Sequence, residues 1–185
     1  MKLPNILIYS VILLVLIVPA ARNEASSVIQ SVVIHSGIVN ASIDEDRKEI
    51  FNYDFTVKDT GGKETNFNDF KGKVIFLNLW ATWCGPCRSE MPAIQELYNG
   101  IDKEKIVFVM LSLDEQNRVA KVKSYITDKS FTFPVFMPVG QLTNQLHVDT
   151  IPTTFVIDKD GYIVLKEVGM RNYNTTKFKK YLEGL

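Results

Sequence analysis

The chain has 185 residues, with 21 Lys and Arg against 21 Asp and Glu, so its formal net charge is zero. That balance provides no basic footprint for nucleic acid and no pull on an acidic substrate. Hydrophobic residues make up 46% of the chain, ample for one globular core, while two cysteines are too few for a disulfide scaffold and fit a single reactive pair.

At the N-terminus, Lys2 precedes an apolar run from Ile6 to Val18 that ends in Pro19-Ala20-Ala21. A basic start, a short apolar centre and small residues at its end form an export-signal pattern. The run falls short of the about 20 residues that a membrane-spanning helix needs. Residues 1–21 are therefore expected to be a signal peptide cleaved after Ala20, or else a retained membrane anchor; both readings export the rest of the chain. Residues 22–50 read as an extension. Within it, Ser26 to Ser42 is rich in Val and Ile around Gly37 and is expected to add a hairpin to a sheet edge, with a partner-docking strand as the alternative. His35 has no neighbours that would complete a metal site. Asp44 to Glu49 reads as a solvated linker or a helix start.

Residues 51–185 carry the domain. Tyr53 to Val57 alternates as a strand does, and Asp59-Thr60-Gly61-Gly62-Lys63 is a turn. Val74 to Trp80 is apolar apart from Asn78, the pattern of a buried parallel strand. Directly after it comes Trp80-Ala81-Thr82-Trp83-Cys84-Gly85-Pro86-Cys87-Arg88-Ser89-Glu90-Met91-Pro92, followed by helix-spaced apolar residues. The two cysteines therefore stand where a strand hands over to a helix. Unpaired N–H groups and a partial positive charge at the helix start stabilise a thiolate, so Cys84 is expected to be more acidic than a free thiol. Cys87 lies one turn on, on the same helical face. Gly85 adds no bulk beside the sulfur, and Pro86 fits a first turn, where a missing N–H costs nothing.

Trp83-Cys84-Gly85-Pro86-Cys87 resembles the thioredoxin active site, and the longer string from Trp80 to Pro92 is similar to the TlpA/ResA-like extracytoplasmic thiol-disulfide oxidoreductases. The resemblance runs from about Phe51 to the C-terminus. It implies a thioredoxin-like fold: an α/β, three-layer α/β/α sandwich with a central mixed sheet. One departure stands out, since many thioredoxins carry a buried aspartate where this chain has Asn78. By the family pattern Glu90, three residues after Cys87, fills the gap: a partly desolvated carboxylate there has a raised pKa and can exchange the Cys87 proton. The alternative is a glutamate on a solvated helix face. Pro92, inside the helix, removes a bond to the Arg88 carbonyl and is expected to kink it.

Ile106 to Leu113 is the next buried strand, and Asp114 to Asp128 is a helix by the spacing of Val119, Val122, Tyr125 and Ile126. Strands alternating with helices imply parallel βαβ units. Phe133 to Phe136 is a short strand and Gln141 to His147 a short helix, with His147 a polar residue at its end. At Ile151-Pro152 the resemblance implies a cis proline facing the cysteines and a backbone edge at Ile151 that takes an extended substrate. Thr154–Ile157 and Tyr162–Val168 are strands joined by the turn Asp158-Lys159-Asp160-Gly161. Gly169 aligns with a family glycine at the active-site rim. Asn174 is placed to cap a last helix from Thr175 to Glu183.

The implied activity is dithiol–disulfide exchange, with Cys84, Cys87 and Glu90 catalytic and Trp83, Gly85, Pro86, Ile151, Pro152 and Gly169 facing the substrate. A Gly-Pro spacer resembles reducing thioredoxins, near about −270 mV, more than the oxidant DsbA, near about −120 mV. The electrons reside in the Cys84–Cys87 pair, with no cofactor and no metal expected. The partners implied are disulfide-bearing or dithiol proteins, apocytochrome c among them, and a membrane electron donor not visible in this chain. The competing readings are weaker. Structural zinc needs four ligands, and only His35 and His147 accompany the cysteines. A copper-binding module on the same fold would suit the soft thiolates but would have to recruit His147. A peroxiredoxin site needs a threonine where Ala81 stands. A redox-inactive interaction protein would have no use for both cysteines and Pro152.

Overall fold

A computed structural model describes residues 49–185; the expected export signal, the Ser26–Ser42 hairpin and His35 lie outside the described residues. The strands are β1 (Glu49–Ile50), β2 (Thr56–Asp59), β3 (Glu64–Asn66), β4 (Val74–Trp80), β5 (Ile106–Ser112), β6 (Val135–Val139), β7 (Thr153–Ile157) and β8 (Tyr162–Val168), and the helices are α1 (Gly85–Asn99), α2 (Val119–Asp128) and α3 (Thr176–Gly184). They build one mixed sheet in the order β1-β8-β7-β4-β5-β6-β2-β3. β4 runs parallel to β5 and antiparallel to β7, and β5 runs parallel to β6.

β4 is buried at all seven positions because the sheet covers both its edges and the two outer layers cover both its faces. On one face Phe76, Trp80, Phe108 and Val156 pack against Met91, Ile94 and Leu97 of α1, Val122 of α2 and Phe178 and Leu182 of α3. Phe76 and Phe108 are register partners across β4 and β5, and their rings stack at 4.6 Å, a pair that adds to the area they bury. On the other face Ile75, Leu77, Leu79 and Val109 meet a layer of extended chain and 3-10 turns carrying Phe51, Phe55, Phe67 and Leu146. The expected layering is present, with short turns forming the second outer layer.

Several boundaries move for identifiable reasons. Glu49–Ile50, read from the sequence as extension, pair with Ile163 and Tyr162 at the edge of β8. The first predicted strand begins at Thr56, since Tyr53 and Phe55 are spent as core aromatics ahead of it. The predicted Phe133–Phe136 strand slides to Val135–Val139. The helix expected from Asp114 starts at Val119 after a 3-10 turn at Gln116–Arg118. The helix expected over Gln141–His147 is one 3-10 turn, Asn144–Leu146, with His147 exposed at its end. The cap of α3 is Thr175, whose hydroxyl oxygen accepts from the Phe178 N–H; Asn174 instead donates to Glu96 on α1 at 2.5 Å. Pro92 lies inside α1, which continues through it to Asn99.

Candidate active site

β4 delivers the chain to the top of the sheet at Trp80, and α1 begins five residues later. Cys84 is the N-cap of α1: its backbone is extended, and its Sγ accepts from the Cys87 N–H at 3.2 Å. Pro86 sits in the first turn, as expected, and is exposed. Cys84 and Cys87 form a disulfide with 5.3 Å between their Cα atoms. The two sulfurs differ in access, since Cys84 is 6% exposed and Cys87 is fully buried. A side chain built at Gly85 would meet nothing, so the glycine leaves open space beside the disulfide that packing does not require. Trp83, just before it, is 63% exposed despite its size.

The peptide bond between Ile151 and Pro152 is cis, and the Ile151 carbonyl oxygen stands 3.7 Å from Cys84 Sγ. The Pro152 carbonyl accepts from the Gly169 N–H at 2.8 Å. Gly169 has φ +84°, a left-handed conformation that disfavours any side chain. The structure therefore ties the loop after β8 to the proline turn and the turn to Cys84, bringing Ile151, Pro152 and Gly169 to the cysteine pair.

Glu90 is buried completely beneath α1, one turn after Cys87. Its Oε1 accepts from Asn78 Nδ2 at 2.7 Å and its Oε2 from the Arg171 N–H at 3.1 Å. Burial pushes its carboxyl up to about 8, against the pull of those two donors and of the Arg171 charge. The glutamate is thus on the buried face of the helix, not the solvated one. Arg171 in turn forms an ion pair with Glu167 at 3.0 Å.

A second buried acid is not foreseen by the sequence reading. Asp114, 4% exposed, accepts from the Thr82 N–H at 2.8 Å, the Thr82 hydroxyl at 2.6 Å and the Ser112 hydroxyl at 2.8 Å. These bonds pin the loop between β4 and Cys84 to the end of β5. The sequence signal is Ser112-Leu113-Asp114 directly after an apolar strand, but its partner lies 32 residues away. Among the described residues no group of three or more His, Cys, Asp or Glu side chains could hold a metal ion.

Residues 52–166 match the AhpC/TSA family. The thiol-disulfide oxidoreductase ResA of Bacillus thuringiensis (strain Al Hakam) is 37% identical over 131 residues, 70% of this chain and 71% of that protein. The chain belongs to the AhpC/TSA family and is a thiol-disulfide oxidoreductase of the ResA/StoA type. The crystal structure of StoA from Bacillus subtilis covers 69% of this chain and 94% of its own, with 28% identity and a TM-score of 0.57. A thioredoxin-family thiol:disulfide interchange protein from Chlorobium tepidum TLS covers 78% and 97%, with 27% identity and a TM-score of 0.57. Both neighbours share the thioredoxin fold. In this ResA-type chain the position three before Cys84 is the buried Ala81, which offers no hydroxyl for peroxide chemistry.

Proposed function

We propose that this ResA-type protein is an exported reductant of protein disulfides, in which Cys84 attacks, Cys87 resolves and Glu90 carries the proton between turnovers. The observation that carries the reading is the buried Glu90 carboxyl, raised to about 8 and set one turn behind the shielded Cys87.

In the reduced protein the Cys84 thiolate is held by the helix N-terminus and the Cys87 N–H. It attacks one sulfur of a partner disulfide; a Cys84–partner disulfide forms and the partner's other sulfur leaves as a thiolate. Cys87 then passes its proton to the Glu90 carboxylate and attacks Cys84 Sγ. The internal disulfide forms and the second partner sulfur leaves, so two electrons have moved from the pair to the partner. When a membrane dithiol donor reopens the pair, the departing Cys87 takes the proton back from Glu90. A group with its midpoint near neutrality suits both directions of that transfer.

The partner lies over Trp83, Gly85 and Pro86 and runs as an added strand along Ile151, with Pro152 and Gly169 shaping the turn. Electrons travel through the cysteine pair without a cofactor. Apocytochrome c, handled outside the cytoplasm, is the substrate favoured by the resemblance. Export rests on Lys2 and the apolar run from Ile6 to Val18.

The test is Cys87→Ser in the full chain, which is expected to accumulate partners disulfide-linked to Cys84. Failure of the folded variant to trap any protein, together with failure of wild type to reduce insulin disulfides, sinks the reading. Equilibration with glutathione fixes the direction: a potential near about −270 mV supports a reductant and one near about −120 mV reverses it.

A further inference from the structure

We infer that Thr154 is a positioning residue for Glu90: its hydroxyl oxygen, set opposite Asn78 by the β4–β7 register, holds the Asn78 amide in the orientation that donates to the carboxylate. The inference rests on the reading of Glu90 as the proton carrier. Asn78 and Thr154 are direct partners across the two strands, and both are fully buried. Asn78 Nδ2 donates twice, to Glu90 Oε1 at 2.7 Å and to Thr154 Oγ1 at 2.9 Å. Its Oδ1 is buried without a hydrogen-bond partner. Both amide protons are thus committed on the nitrogen side, which fixes the direction of a group that could otherwise turn over.

The direction matters because the two ends of an amide do opposite things to a carboxyl. The N–H end favours the carboxylate, and the C=O end favours the protonated acid. An aspartate at position 78 would compete for the proton; an asparagine cannot take it up. A threonine hydroxyl can both donate and accept, so Thr154 selects the nitrogen only while its own proton points elsewhere. The neighbouring Tyr173 hydroxyl, buried and without a hydrogen-bond partner of its own, is the acceptor toward which that proton can turn. The ionisable groups around Glu90 are Cys87 on its own helix, Glu167 on β8, and Arg171 and Tyr173 on the segment after β8. Of these Tyr173 also meets Thr154, and burial raises its hydroxyl well above the ordinary value, so it stays neutral while Glu90 titrates.

The experiment follows the Glu90 side-chain carboxyl by 13C NMR across pH in the oxidised full chain, where the cysteines do not titrate. Wild type is expected to show a midpoint near 8. Thr154→Val keeps the shape but deletes the acceptor, so the amide can present its oxygen, and the midpoint is expected to rise by about one pH unit, a tenfold change in proton affinity. Thr154→Ser restores the hydroxyl and is expected to return the midpoint to that of wild type. Thermal unfolding checks each fold, and Thr154→Ala makes the same deletion where Val is not accommodated. A folded deletion variant that titrates with wild type overturns the inference, as do Val and Ser variants that shift equally. A wild-type midpoint near the ordinary glutamate value overturns both this inference and the reading of Glu90; a midpoint near 8 that Thr154→Val leaves in place overturns this inference alone.

Discussion

Two acidic side chains that follow the disulfide in sequence are both buried, and they are furnished differently. Asp114 receives three hydrogen bonds, two of them from hydroxyls on β5 and on the loop that leads to Cys84. Glu90 receives two, from one amide and one backbone N–H, beneath a helix that excludes water. The first is a fastening: its oxygens hold a loop in place. The second has too few donors to offset its desolvation, and its carboxyl rises to about 8. The contrast teaches that two equally buried carboxyls can be supplied with different numbers and kinds of donors, one by a loop it fastens and one by a single amide and a backbone N–H.

The contrast can be broken most severely at the fastening. Asp114→Ala strands the Thr82 N–H and two hydroxyls in the interior and is expected to cost about 3 kcal/mol in urea unfolding. A loss under about 1 kcal/mol would mean that the loop holds itself. Next, Glu90→Gln is expected to slow insulin reduction about 100-fold at neutral pH, while leaving the protein folded and erasing the rate inflection near 8. An unchanged pH–rate profile would make Glu90 a second fastening.

The third effect concerns stability against pH. Below about 4.5 the Glu90 carboxyl is protonated in both folded and unfolded chains. Between there and about 8 the unfolded chain releases its proton while the native one keeps it. Unfolding thus becomes easier as pH rises through this window, and the contribution levels off above it. The fall is expected to reach at most about 5 kcal/mol for the oxidised protein, and to be absent in Glu90→Gln; a wild-type curve that parallels the variant's contradicts the assignment. The smallest effect is at the rim. Trp83→Ala is expected to change stability by no more than about 0.5 kcal/mol, yet to raise KM for a protein disulfide about fivefold or more. An unchanged KM would take Trp83 out of the docking face.

The parts of this molecule legible in the sequence are those whose reasons are local. The bounds of β4 and β8 are legible because an apolar run and an alternating run end at turn residues, with Asp158 closing the hairpin through its own side chain. The cysteine pair is legible because a strand-to-helix junction is written in consecutive residues. Glu90 is reached through the family pattern, and its burial cannot be read from helical spacing alone. β1 and β3 escape because two or three mostly exposed residues leave no period. The start of α2 is misjudged because Asp114 looks like a helix opener and is engaged with Thr82 instead. The cap of α3 slips by one residue because Asn174 is drawn to Glu96, a partner 78 residues away.

The unequal exposure of the two sulfurs has a kinetic consequence. In the proposed cycle a partner meets Cys84 in a bimolecular encounter, so that half of the cycle is expected to speed up with partner concentration. Cys87 has no view of solvent, and the only disulfide it can reach is the one on its neighbour. Release in that cycle is therefore expected to be a first-order event with a clock internal to the chain, so that crowding the protein with more partner shortens the wait for capture and leaves the wait for release unchanged.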